Sequence, residues 1–261
     1  MERWTRRGAT ALFVAALLAG CTHTNRPTGP APATSGTAPT GGTGGAPGSP
    51  VALWRLVDGF TPAGEEEARG PLLAVYEDGT AIADARFQGR LAGTELTDLL
   101  TKVAADLSRP AVASPTRSGG VTVMDAPRTV FTVRSGGREL TVSADALDEV
   151  RAEGGYPAAL YDARDRLDAV RQRVVHGGVK YTADRVRLVV VPESGADPGA
   201  APWPADVPLP VGESSGAPMT AVLTGAAAAT ATSRLPDGWH RYRTASGEPV
   251  RATWRYLLPD E

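Results

Sequence analysis

The chain has 261 residues, 42% of them hydrophobic, with 27 basic and 29 acidic side chains and a formal net charge of −2. That balance, with no basic stripe, excludes the electrostatic footprint of a nucleic-acid-binding protein. One cysteine excludes an internal disulfide, and with three scattered histidines it offers no zinc ligand set, so no metal or other cofactor is implied.

Arg3, Arg6 and Arg7 precede an apolar run from Ala9 to Ala19, and Leu18-Ala19-Gly20-Cys21 has the form of a bacterial lipobox. The run suits a signal peptide and falls short of the roughly 20 residues that cross a bilayer. The expectation is a lipoprotein signal peptide over residues 1–20, cut before Cys21, with the Cys21 sulfur acylated (palmitate or a similar chain). The partner this predicts is the membrane, on its outer, extracytoplasmic face. Two or more acyl chains hold a protein there stably, where one does not. Arg6-Arg7 also raises twin-arginine export, which Gly8-Ala9-Thr10 fit poorly.

Residues 21–50 are almost entirely Thr, Gly, Pro, Ala and Ser. Such a segment has too little apolar surface to offset its ordering entropy, and the reading is a disordered linker. Residues 51–261 remain as a single globular domain, long enough for a real core. Removing residues 1–20 takes away three arginines and one glutamate and leaves a charge near −4.

Within the domain, Val51–Leu56 reads as a strand. Leu72–Tyr76 and Thr80–Ala83 read as a hairpin around Glu77-Asp78-Gly79, since Asp-Gly suits tight turns. Thr94 is the predicted N-cap of a helix whose Leu96, Leu99, Leu100, Val103 and Leu107 fall on one face, stopped by Pro110. Residues 111–120 read as loop. A second hairpin follows, Thr129–Val133 with Arg138–Val142. Pro157 then opens a long helix lined by Leu160, Leu167, Val170 and Val174, with Asp162 and Arg166 spaced to pair. Two hairpin-then-helix units in succession raise a duplication, though residue similarity is poor.

Val186–Val191 is apolar at nearly every position and predicts a strand buried on both faces. The Pro/Gly-rich stretch 192–218 reads as a long loop, Ala221–Leu235 as a short helix, and Trp239–Tyr242 with Val250–Leu257 as a closing hairpin. The fold class predicted is α+β: a mostly antiparallel sheet built from hairpins, with two to three packed helices.

Several segments together carry a resemblance: Val75-Tyr76-Glu77-Asp78-Gly79-Thr80, Trp203-Pro204, Val222-Leu223-Thr224-Gly225 and Leu257-Leu258-Pro259-Asp260-Glu261, behind a lipobox and linker. The chain resembles a group of uncharacterised actinobacterial cell-envelope lipoproteins. The resemblance implies an envelope address and carries no activity and no functional residues.

Chemical motifs are sparse. Gly212-Glu213-Ser214-Ser215-Gly216 matches the Gly-x-Ser-x-Gly elbow of serine hydrolases, but the elbow needs a strand before the serine and a helix after it, and here it lies in a Pro/Gly loop. Asp237 and His240 follow in triad order, only three residues apart. His176 is placed at a helix C-terminus, where a cation meets the dipole favourably. Glu65-Glu66-Glu67 reads as a solvated loop. Trp203, Trp239, Tyr242, Trp254 and Tyr256 crowd the last sixty residues; they fit a core, and they also fit a binding platform for a wall polymer or an envelope protein. The function expected is a non-enzymatic binding or structural module on a lipid anchor. The alternative is a serine hydrolase outside the membrane using Ser214 with His240 or His176.

Overall fold

The computed structural model describes residues 48–119, 123–195, 199–212 and 216–261, all within one compact unit. The signal segment, Cys21, His23, nearly all of the linker and Ser214 lie outside the described residues. The fold is α+β.

In chain order the elements are β1 (Ala52–Val57), α1 (Glu65–Ala68), β2 (Leu73–Val75), β3 (Thr80–Ala83), β4 (Phe87–Arg90), α2 (Gly93–Leu107) and α3 (Pro110–Ala113). Next come β5 (Arg128–Ser135), β6 (Arg138–Asp145), α4 (Ala158–Gly177), β7 (Val179–Lys180), β8 (Arg185–Pro192) and β9 (Ala201–Pro202). The last are β10 (Met219–Thr224), α5 (Gly225–Arg234), β11 (His240–Arg243) and β12 (Pro249–Tyr256). The strands form two sheets. The first has seven strands, ordered β6-β5-β1-β2-β3-β4-β7 and antiparallel throughout. The second has five, ordered β10-β8-β12-β11-β9, antiparallel except where β9 pairs with β11.

Side-chain alternation decides what each face covers. In the first sheet Trp54, Leu73, Val75, Ala81, Ala83, Phe131 and Val133 point to α2 and α4 and meet Leu99, Val103, Leu107, Leu160, Leu167 and Val174. Burial of a side chain of this kind is worth about 1.5–3 kcal/mol. The intervening residues Ala74 and Ile82, with Tyr76, face away from those helices and pack on Tyr181 and Leu258. In the second sheet Val186, Leu188 and Val190 pack under Ala228 and Ala231 of α5. Val189 and Val191 lie on its opposite face, so this strand is buried on both sides as its composition predicts.

That opposite face receives the turn before α1. Gly64 has φ +82°, and a Cβ there would stand 2.5 Å from Val191 Cγ2 and 2.9 Å from Trp239 Cη2. Both the left-handed backbone and the close approach require glycine at this position.

Five expectations need correction. Ala92, not Thr94, is the N-cap of α2, and Thr94 lies inside the helix. Pro110 does more than stop α2: it occupies the first turn of α3, within the segment 111–120 read as loop. Residues 221–224 are strand, paired along β8, and the helix begins only at Gly225. Alanine and threonine there follow the neighbouring strand rather than helix propensity. Glu65-Glu66-Glu67 is helical. Arg166 does not pair with Asp162; its Nε donates to Asp106 on α2 at 3.1 Å, a carboxylate that Arg109 also contacts. Asp106 is buried, so this partner is favoured over one on the exposed helix face.

Candidate functional site

The residues Leu257-Leu258-Pro259-Asp260-Glu261 are pinned where the two sheets meet. Arg255 at the end of β12 donates from Nη1 and Nη2 to the two Glu261 carboxylate oxygens at 2.6 and 2.7 Å. The Leu258 backbone N–H donates to the same carboxylate at 3.0 Å, and Arg185 Nη2 donates to the Glu261 carbonyl at 2.8 Å. From the first sheet, the Tyr76 hydroxyl donates to Asp260 Oδ1 at 2.9 Å. The Tyr181 hydroxyl donates to the Leu257 carbonyl at 2.8 Å. These bonds clasp one sheet to the other.

The clasp sets two ionisations. Burial by itself would raise the Glu261 carboxyl pKa; hydrogen bonds from Arg255 and Leu258, with the charges of Arg255 and Arg187, outweigh it and hold the group below its ordinary value. Burial pushes the Tyr76 hydroxyl up, and the neighbouring Asp260 charge adds to that. Tyr76 therefore stays a neutral donor.

Beside the clasp lies a cleft of about 260 Å³ between the sheets. Its apolar lining includes Leu53, Leu56, Val57 and Leu258; its charged lining is Arg55, Arg69, Arg187 and Arg255 against Glu66, Asp260 and Glu261. Arg255 is only 8% exposed. Its Nε is buried without a hydrogen-bond partner, and so is Nη1 of Arg69. Arg69 makes no side-chain hydrogen bond or ion pair among the described residues. A buried donor left unpaired costs about 1–3 kcal/mol, more when charged. Chemically the cleft can hold an anionic group on Arg69 with an apolar body against the leucines.

The five late aromatics do not form one exposed platform. Trp203 stacks edge-on against Tyr242 at 5.4 Å and donates Nε1–H to the Val207 carbonyl at 2.8 Å. Trp254 meets Tyr256 edge-on at 5.1 Å and donates to the Leu235 carbonyl at 2.9 Å. Tyr256 in turn meets Tyr181 at 6.0 Å. Tyr242 and Trp254 are buried. Trp239 lies near Gly64 with the Arg251 guanidinium over its ring at 4.6 Å. The rings direct their faces and edges to one another because α5 and the loop around Val207 cover that side of the sheet. Trp254 and Tyr256 nevertheless border a second cavity, about 180 Å³, with Arg86, Phe87, Lys180 and Asp237.

Among the described residues the histidines make no His–carboxylate pair. His240 Nε2 contacts the Asp237 backbone carbonyl at 3.0 Å, while the Asp237 carboxylate takes Arg86 at 3.2 Å. His176 stands in the last turn of α4. Among the described residues no group of three or more His, Cys, Asp or Glu could hold a metal ion.

The sequence reading missed Arg69, Arg255 and the role of Glu261. The signal available was the pair of acidic residues at 260 and 261, with Arg185, Arg187 and Arg255 on the adjoining strands. Comparison with protein-family models, with curated proteins and with solved structures finds no match to this chain.

Proposed function

We propose that this protein is an envelope lipoprotein, anchored through Cys21 to the outer face of the cell membrane, whose domain is a non-enzymatic binding module using the cleft between its sheets. The anchor rests on the order of basic residues, apolar run, small residues and cysteine at residues 3–21. The observation that carries the binding role is a cleft lined by leucines and arginines in which half-buried Arg69 has no side-chain hydrogen bond or ion pair among the described residues. An anion bound in the cleft would give the Arg69 guanidinium a charge-assisted partner.

Two experiments test this. Fractionation of cells making the full chain should place the protein with membranes, carrying fatty acid; Cys21→Ala should release it from both. Small molecules freed by heat from the purified protein should include a compound that Arg69→Met, equally folded, fails to retain. Esterase and peptidase activity should stand at background in the protein and in Ser214→Ala alike. Activity lost on that substitution would replace the binding role with hydrolysis.

A further inference from the structure

We infer that the cleft's ligand is a small monocarboxylate with a short apolar body, its carboxylate received by Arg69. This rests on the cleft being the binding site.

Charge bookkeeping favours one negative charge. Four arginines face three carboxylates in the lining, leaving a single net positive charge. Arg255 is matched by Glu261 in a two-point ion pair, with Arg187 4.0 Å from the same carboxylate. Asp260 accepts from Tyr76. Arg55 and Arg69 both lack a side-chain partner among the described residues, but Arg55 is exposed to solvent whereas Arg69 is half-buried, so Arg69 is the cation placed to receive the ligand's charge. A phosphate dianion would place its second charge against Asp260 and Glu261, at a cost that grows in a partly buried site. An amine would leave Arg69 unmatched and repelled.

Shape selects the rest of the ligand. Leu53, Leu56, Val57, Pro71 and Leu258 line the cleft, so the body beyond the carboxylate is apolar. A volume of about 260 Å³ lies just below the usual range of roughly 300–1,000 Å³ for drug-sized ligand pockets. The guanidinium of Arg69 presents a planar fork of donors suited to carboxylate oxygens.

The test is thermal melting of the full chain at constant ionic strength with butyrate, inorganic phosphate or butylamine. A ligand that binds the native state raises the melting temperature by mass action. Butyrate should raise it, and phosphate and butylamine should not. In Arg69→Met the apparent affinity for butyrate should fall roughly 10- to 100-fold, the loss expected for one charge-assisted pair. Arg69→Gln, which keeps polarity and loses charge, should fall likewise. An equal shift in protein and variants, a larger shift with phosphate, or no shift with butyrate would overturn the inference. If butyrate is inert while heat extraction still frees an Arg69-dependent compound, the carboxylate assignment fails and the cleft stands. If neither gives a signal, both fail.

Discussion

At the scale of single residues, Arg69 and Glu261 line the same cleft in opposite roles: one is a cation without a side-chain partner among the described residues, the other an anion with several. Replacing Arg69 by Met removes a buried unpaired donor and keeps most of the apolar stem. The unliganded protein should then be as stable as before or more stable, by about 1–2 kcal/mol, in urea unfolding. A structural role for Arg69 would give the opposite sign. Glu261 behaves in the reverse way. Its ionised form is held by Arg255 and Leu258, so its folded pKa lies below the unfolded value. Its contribution is therefore complete above the unfolded value, about pH 4.5, and is lost as pH falls through the lower folded value. Glu261→Gln should cost about 2 kcal/mol near neutral pH after allowance for solvent screening, and should flatten the acid limb of the stability profile. Urea midpoints between pH 3 and 7 would show this, and an unchanged acid limb would remove Glu261 from the clasp.

At the scale of elements, hydrophobic spacing is the dominant signal. The leucines of α2 and α4 were legible because a 3.6-residue period survives any tertiary context that buries one face. The hairpins β2–β3 and β5–β6 were legible from their turn residues, and Gly79, Gly136 and Gly137 do adopt positive φ. The segment 221–224 was not legible, since only pairing with β8 makes alanine and threonine extended there. Short pieces such as α1 and β4 carry too few residues for a period to register. The turn before α1 packs closely on the second sheet, and Gly64→Ala tests that contact. A Cβ would oppose both the left-handed backbone and Val191, so the cost should be about 2–4 kcal/mol, read as a lower urea midpoint at unchanged slope.

At the scale of the whole molecule, two sheets share one junction made by Tyr76, Ile82, Tyr181, Tyr256 and Leu258. Clasp and cleft are two sides of that junction. Because both sheets pack into that junction, unfolding should be a single transition, with far-ultraviolet dichroism and tryptophan fluorescence superimposing in urea. Separate transitions would mean that the sheets are independent units. Leu258→Ala, which removes the apolar plug of the junction, should cost about 2–5 kcal/mol in that same experiment.

By itself the sequence determined the fold class, the main helices and hairpins, and the position of the buried strand β8. Each of these follows from local periodicity and turn chemistry. It also supplied the lipobox on which the proposed address rests. The candidate site was decided only by tertiary structure. Arg69, Arg255 and Glu261 are far apart or unremarkable along the chain. Their meaning depends on which nitrogen is buried and which carboxylate reaches it, and these are properties of two sheets brought together. The aromatics show the same division: their spacing announced a cluster, and packing decided that most of it faces inward.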